Sequence, residues 1–219
     1  MDNKEWEQDP EEEGHFGASL QTPLRADAFD LGDDLKIELI TKHFTEIMHL
    51  LGLDLTDDSL QGTPRRVAKM YVKEVFEGLN PKNKPIARLF VNKYGYNQML
   101  VERDITLFSY CEHHFVPIVG KAHVAYIPKD HVIGLSKLNR IVQYYARRPQ
   151  VQERLTMQIA DEFKSILQTE DVAVLIEADH LCVMSRGVMD VTSSTITSEY
   201  SGLFQQEQYR HEFLSYIRK

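Results

Sequence analysis

The sequence predicts an α+β fold built on an antiparallel sheet. Three observations carry that expectation. Apolar residues recur at helical spacing through residues 33–78, then alternate in four later segments. Those later segments fall in the order β-β-α-α-β-β and are followed by a helix, a succession that suits an antiparallel sheet better than a doubly wound one. No internal repeat with a period of about 20 to 50 residues exists, which excludes solenoids and propellers.

Each element has its own signal. Residues 1–32 are polar and acidic and are punctuated by Pro10, Gly14, Gly17 and Pro23, so they read as a flexible arm. A first helix is expected from Asp33 or Asp34 as cap to Gly52 as terminator, with Leu35, Leu39, Ile40, Ile47, Met48 and Leu51 as its apolar positions. Thr63-Pro64 opens a second helix, which Gly78 closes. Residues 80–85 are turn-like, with two prolines and two asparagines. Strands follow at 98–109 and at 119–127. Ser136 is positioned to cap a helix running to about Arg147, before Pro149 interrupts. The next helix aligns Val151, Leu155, Ile159, Phe163 and Ile166. Strands are then expected at 171–183 and 188–198, and a closing helix holds Phe213, Leu214 and Ile217. The expected organisation is an arm (1–32), a helical region (33–80) and a main domain (81–219).

Composition narrows the function classes. With 42% hydrophobic and 26% charged residues, the 219-residue chain has the makeup of a globular protein large enough to fold without disulfides. A net charge of −8 argues against a general nucleic-acid or membrane-surface binder. Residues 1–14 account for −6 of it, and the rest is nearly balanced at 26 acids and 24 bases. The single tryptophan, Trp6, also lies in the acidic stretch. No apolar run reaches the length of about 18 residues that a membrane span needs. Neither a basic-then-apolar leader nor an acid-poor transit segment is evident, so the expected location is cytoplasmic. In that compartment two thiols are metal ligands or reactive groups more readily than a disulfide.

Both cysteines sit beside histidines: Cys111-Glu112-His113-His114, and His180-Leu181-Cys182 seventy-one residues on. Thiolate and imidazole are preferred zinc ligands, and candidates gathered in two clusters outweigh the alternative of two buried, inert thiols. There is no C-x-x-C pair. Two cysteines and one histidine would leave a fourth position for water, the arrangement of a catalytic zinc. Spacing alone leaves open which of His113 and His114 binds. An extended strand puts Cys111 and His113 on one face, whereas a turn lets Cys111 and His114 converge.

Basic residues occur where a helix disfavours them. Arg65, Arg66 and Lys69 occupy the first turns of the Pro64 helix, and Lys137 and Arg140 those of the Ser136 helix. Each opposes the helix dipole at a cost of about 0.3–1 kcal/mol. Arg186 follows Cys182 by four residues. An anionic ligand near both helix starts and near the metal would account for all of them. The usual phosphate loops, G-x-x-x-x-G-K-[ST] and G-x-G-x-x-G, are absent. Side chains would therefore have to hold a nucleotide's phosphates.

Four stretches in order carry a family resemblance: Cys111 to Phe115, Gly134 to Arg140, Arg148 to Leu155, and His180-x-Cys182-x-x-x-Arg186-Gly187. Together they resemble GTP cyclohydrolase I, and the likeness extends from about Gln21 to Leu214. The Gln21–Arg25 stretch is similar to the bacterial branch. The resemblance implies a tunnelling fold with a four-stranded antiparallel sheet, assembled as a homodecamer of two pentamers with active sites between subunits. It implies conversion of GTP and water to 7,8-dihydroneopterin triphosphate and formate, the first step toward folate or biopterin. On it, Cys111, His114 and Cys182 would hold Zn2+, His113 would protonate purine nitrogen 7, and His180 would be a second acid/base group. Ser136 would lie beside the ribose and phosphates. Glu153 would anchor guanine, with Gln152 also at the substrate, and Arg66, Lys69, Lys137, Arg140 and Arg186 would bind the triphosphate; Arg65 fits that role less well. Glu112 would support the ligand cluster. A competing reading is a non-catalytic guanine-nucleotide sensor in which zinc, with four protein ligands, only stabilises the subunit.

Overall fold

The computed structural model describes residues 19–218; the acidic stretch and Trp6 lie outside them. Two helices open the fold, α1 (Asp33–Leu50) and α2 (Thr63–Met70). Neither is capped by the residue its sequence advertises. Gly32 and Gly62 take the cap positions, so Asp33 and Asp34 serve as first-turn acids, favourable at the positive end of the dipole. Beyond Met70 the chain widens into a π-turn at Tyr71–Val75 and tightens into 3-10 turns at Glu77–Leu79 and Pro81–Asn83.

Gly78 is therefore not a helix terminator. A Cβ there would stand 2.0 Å from the Tyr144 carbonyl oxygen. The missing side chain lets the Gly78 N–H reach the Arg147 carbonyl at 3.0 Å, while Arg148 Nε returns a bond to the Gly78 carbonyl at 2.8 Å. This close approach joins the helical region to the rest of the molecule.

The main sheet is built from β2 (Leu100–Cys111), β3 (Pro117–Tyr126), β6 (Val172–His180) and β7 (Thr195–Tyr200), all antiparallel. A two-residue strand, β5 (Pro149–Gln150), adds a short parallel pairing against the end of β2 and makes the order β5-β2-β3-β6-β7. The sheet thus has five members rather than the four expected. A separate ribbon pairs β1 (Leu89–Val91) with β4 (His131–Ile133). Helices α3 (Leu135–Ala146) and α4 (Gln152–Leu167) cover one face, where Leu107, Val124, Leu138, Leu155, Phe163 and Ile176 share the larger core. The other face packs Ala125, Leu175, Phe204 and Phe213 under α6 (Glu207–Ile217). Burying side chains of this size contributes about 1.5–3 kcal/mol each.

Two strand boundaries depart from expectation. The strand expected over 171–183 ends at His180, and Leu181–Met184 turn into a short helix, α5. The strand expected over 188–198 begins only at Thr195. Before it, Gly187 and Met189 have φ of 61° and 54°, and the Asp190 carboxylate accepts from the Thr192 N–H at 2.9 Å. That side-chain turn competes with the ladder. Ser136 is not a cap either: Gly134 holds that position and Ser136 is an exposed residue of the first turn of α3.

Register fixes where the site lies. Tyr110 opposes Pro117, Cys111 opposes Gln150, and Ile118 opposes His180. The end of β2, the start of β3 and the end of β6 therefore meet at one end of the sheet.

Candidate active site

At that end the chain turns sharply after Cys111. The Phe115 N–H donates to the Cys111 carbonyl at 2.8 Å, and the Cys111 N–H to the Val116 carbonyl at 2.9 Å. Phe115 adopts a φ of 53°, which a residue with a side chain rarely takes. Its ring packs at 5.1 Å from Phe76 and 6.3 Å from Tyr71, so the helical region braces the turn.

Within the turn the Cys111 sulfur is buried, 3.7 Å from His113 Nδ1 and 3.9 Å from His114 Nδ1. Helix α5 brings Cys182 alongside. The donor atoms of Cys111, His114 and Cys182 all lie within 4.8 Å of one another. Tetrahedral ligands at zinc distances sit about 3.8 Å apart, so this set needs only slight contraction around an ion. Burial, then the neighbouring Cys111 thiol, push the Cys182 thiol up. A divalent cation held by Cys111 and Cys182 would relieve that opposition, since it favours both thiols as thiolates. The Arg186 guanidinium contacts His114 Nε2.

A second layer is buried and polar. Arg154, 4% exposed, pairs with the Glu112 carboxylate between the two histidines and Cys111, and its Nε donates to Gln150 Oε1 at 3.0 Å. Gln150 donates to the Tyr145 carbonyl at 2.9 Å and to Gln158 Oε1 at 3.0 Å. The Glu112 N–H is held by the Gln150 carbonyl at 3.0 Å. Residues 19–22, expected to belong to a free arm, also reach this layer. Arg154 Nη1 donates to the Ser19 carbonyl at 3.4 Å, and Gln158 to Gln21 at 3.5 Å. Arg154 and Gln150 carried no functional expectation. Their signal was polarity at 150, 152 and 154, where the chain enters a helix with ten of its sixteen residues buried.

Consecutive residues of α4 divide their duties. Gln152 is 2% exposed, and its carboxamide bridges β6, β7 and His180. Glu153 is exposed, and its carboxylate has no hydrogen bond or ion pair among the described residues. Burial holds the His180 imidazole below its ordinary value, while the charges of Glu153 and Asp179 act in the opposite direction.

Of the basic residues expected at the substrate, only Arg186 makes a side-chain contact with the cluster among the described residues. Arg66 and Lys69 on α2, and Lys137 and Arg140 on α3, make no side-chain hydrogen bond or ion pair among the described residues. Arg140 lines a cleft of about 340 Å3 with Glu77, Gln143, Tyr144 and Arg147, apart from Cys111 and Cys182.

The family model for GTP cyclohydrolase I matches residues 40–218. The chain belongs to the GTP cyclohydrolase I family. GTP cyclohydrolase 1 of Flavobacterium johnsoniae is 59% identical over 206 residues, covering 94% of this chain and 92% of that protein. The proteins of that name from Escherichia coli and Shigella boydii are each 56% identical over 200 residues, covering 91% of this chain and 90% of theirs. Those matches span both cysteines, both histidine clusters and the basic helix starts.

Proposed function

We propose that this chain hydrolyses GTP at carbon 8 of the purine, releases formate and closes the product as 7,8-dihydroneopterin triphosphate. The observation that carries the reading is the three-membered Cys111, His114, Cys182 cluster at the sheet end of a chain of this family. Two thiols and one imidazole are a donor set suited to zinc, and these three residues would hold it. When bound, zinc would supply the Lewis acidity that makes a water nucleophilic near neutral pH.

The protein's own groups do the rest. His113 donates a proton to purine nitrogen 7, which makes carbon 8 electrophilic. His180 exchanges protons during ring opening and the later sugar rearrangement. The unpartnered Glu153 carboxylate accepts two hydrogen bonds from the guanine ring N–H and exocyclic amine, a donor pair adenine does not present. Ser136 sits by the ribose and phosphates. Arg66, Lys69, Lys137, Arg140 and Arg186 neutralise the triphosphate; the first four are cations with no hydrogen-bond or ion-pair partner among the described residues.

The same reading extends to assembly. β7 is one sheet edge, and at the other β2 has only the two-residue β5 beside it. Ile196 on β7 and Phe108 on β2 are 61% and 53% exposed. Edges of this kind suit the side-by-side rings of the tunnelling fold, in a decamer of two pentamers, and a neighbouring copy would bring separate basic helices to one site. The proposed setting is the cytoplasm; no helix among the described residues is long and apolar enough to cross a membrane. The sensor reading expects a fourth protein ligand, and among the described residues the cluster offers three.

Protein purified under reducing conditions without chelator is expected to carry about one zinc per chain and to release formate from GTP, with a product fluorescent after oxidation. Cys182→Ser should lose both metal and turnover. A zinc-free protein that still turns over GTP, or a zinc-loaded one that does not, would overturn the proposal.

A further inference from the structure

Gln152 offers a carboxamide to four partners, and hydrogen-bond accounting allows only one arrangement. Its Nε2 lies 3.0 Å from the Thr195 carbonyl oxygen, 3.2 Å from the Ile176 carbonyl oxygen and 3.1 Å from Thr197 Oγ1. Two of those three atoms can only accept, so the nitrogen end must face them. The reversed amide would set Oε1 against two carbonyl oxygens at hydrogen-bond distance, with no proton between them.

The hydroxyls close the circuit consistently. Thr156 Oγ1 lies 2.8 Å from the Gln152 carbonyl, to which it donates, and 2.7 Å from Thr197 Oγ1, from which it then accepts. Thr197 is left with a lone pair for Gln152 Nε2. No donor in the group is without an acceptor.

Oε1 therefore faces His180 Nε2, at 2.7 Å, and an amide oxygen only accepts. The proton must be on Nε2. Nδ1 has no hydrogen-bond partner among the described residues, so it carries the free lone pair of the neutral ring. We infer that Gln152 is a positioning residue: it fixes the tautomer and ring orientation of His180, so that Nδ1 is the nitrogen that exchanges protons with the substrate. This rests on the proposed acid/base role of His180. The Gln152 side chain then does not touch substrate, in contrast to the role its neighbourhood in the sequence implies. A proton taken from the substrate lodges on Nδ1 and leaves from Nδ1, while the Nε2–H bond to Gln152 stays intact. In the imidazolium that forms meanwhile, the amide oxygen also opposes the added positive charge.

The test combines histidine 15N NMR with steady-state kinetics on the zinc-loaded full chain. His180→Ala identifies the His180 signals by difference. At about pH 8, where neutral imidazole prevails, His180 in the unsubstituted protein should be protonated at Nε2 alone; a proton on Nδ1 would overturn the inference whatever the variants do. Gln152→Met removes both ends of the amide at similar volume. It should give a mixture of His180 tautomers and lower kcat roughly 10- to 100-fold with KM for GTP little changed. A raised KM with unchanged kcat would make Gln152 a substrate contact and reject the positioning role. Normal kcat in Gln152→Met beside an inactive His180→Ala would reject the positioning role alone. Full turnover in His180→Ala would remove it together with the acid/base reading.

Discussion

Two regions supply the proposed site, and they are built in opposite ways. Around α4 the polar groups are buried and committed to one another: Arg154 to Glu112 and Gln150, Gln150 to Gln158, Gln152 to β6, β7 and His180. On α2 and α3 the cations Arg66, Lys69, Lys137 and Arg140 make no hydrogen bond or ion pair among the described residues. Lys69 falls in the last turn of α2 rather than the first turns expected of it, while neither helix has an acid in its first turn to offset Arg66 or Lys137. The first region is complete within one chain. At Arg66 and Lys137 the second accepts an unfavourable dipole interaction with no counter-charge beside it among the described residues. A buried polar group must be satisfied at once, because leaving it orphaned costs about 1–3 kcal/mol. An exposed cation can wait for its partner at little cost. Geometry is thus stored in the buried half, while charge is held in reserve in the exposed half.

That contrast can be broken most forcefully at Arg154. Arg154→Met leaves the Glu112 carboxylate without its buried partner, a loss of about 3–5 kcal/mol, and should lower Tm by roughly 6–20 °C. Adding Glu112→Gln should restore part of it, because the orphaned charge is removed. A Tm unchanged in the single variant would show that the pair carries no weight.

An intermediate effect is expected in the exposed half. Arg140→Ala should raise KM for GTP roughly tenfold while leaving Tm nearly unaltered, since surface changes fall within about 0.5 kcal/mol. The effect should shrink as salt screens the attraction. A large fall in Tm instead would mean that Arg140 belongs with the structural half.

The smallest effect concerns the opposite face of the sheet. His123 is buried, and its Nδ1 accepts from the Asp104 N–H at 3.2 Å. Burial lowers its pKa from the ordinary 6.5, against the charges of Asp104 and Glu177. A depressed histidine contributes stability that is full above its unfolded value and is lost as pH falls through the folded one. The protein should therefore lose Tm progressively below about pH 6.5, and His123→Asn should lose less over the same range. Parallel pH curves would assign the acid sensitivity elsewhere.

The sequence made one half more legible than the other. Helical spacing and strand alternation located α1, α2, α3, α4 and the antiparallel strands, because those patterns report the cores that buried apolar residues such as Leu155, Phe163 and Ile176 build. Cysteine-histidine adjacency located the cluster, because those donors are scarce and chemically distinctive. Cap positions were less legible: Gly32, Gly62 and Gly134 stand where polar residues usually cap, and a glycine cap has no side chain to advertise itself. Cys182 looked like a strand residue because Val172, Val174 and Ile176 set an alternation that gives no sign of stopping at His180. The Gln152 and Arg154 network was invisible, because a polar side chain at a helix start reads as solvated unless its burial is known. The turn bearing His113 and His114 also needed tertiary bracing from Phe76 and Tyr71, which lie far away in sequence.

The bond from Gln152 to β7 also bears on the order in which the molecule matures. The cysteine-histidine turn can close once β2 and β3 pair, but the amide that holds His180 finds its acceptors only at Thr195, Thr197 and Ile176. The last strand of the sheet must dock before that histidine has a fixed face. During synthesis, that face of His180 can be set only after residues 195–197 have been made, late in the chain.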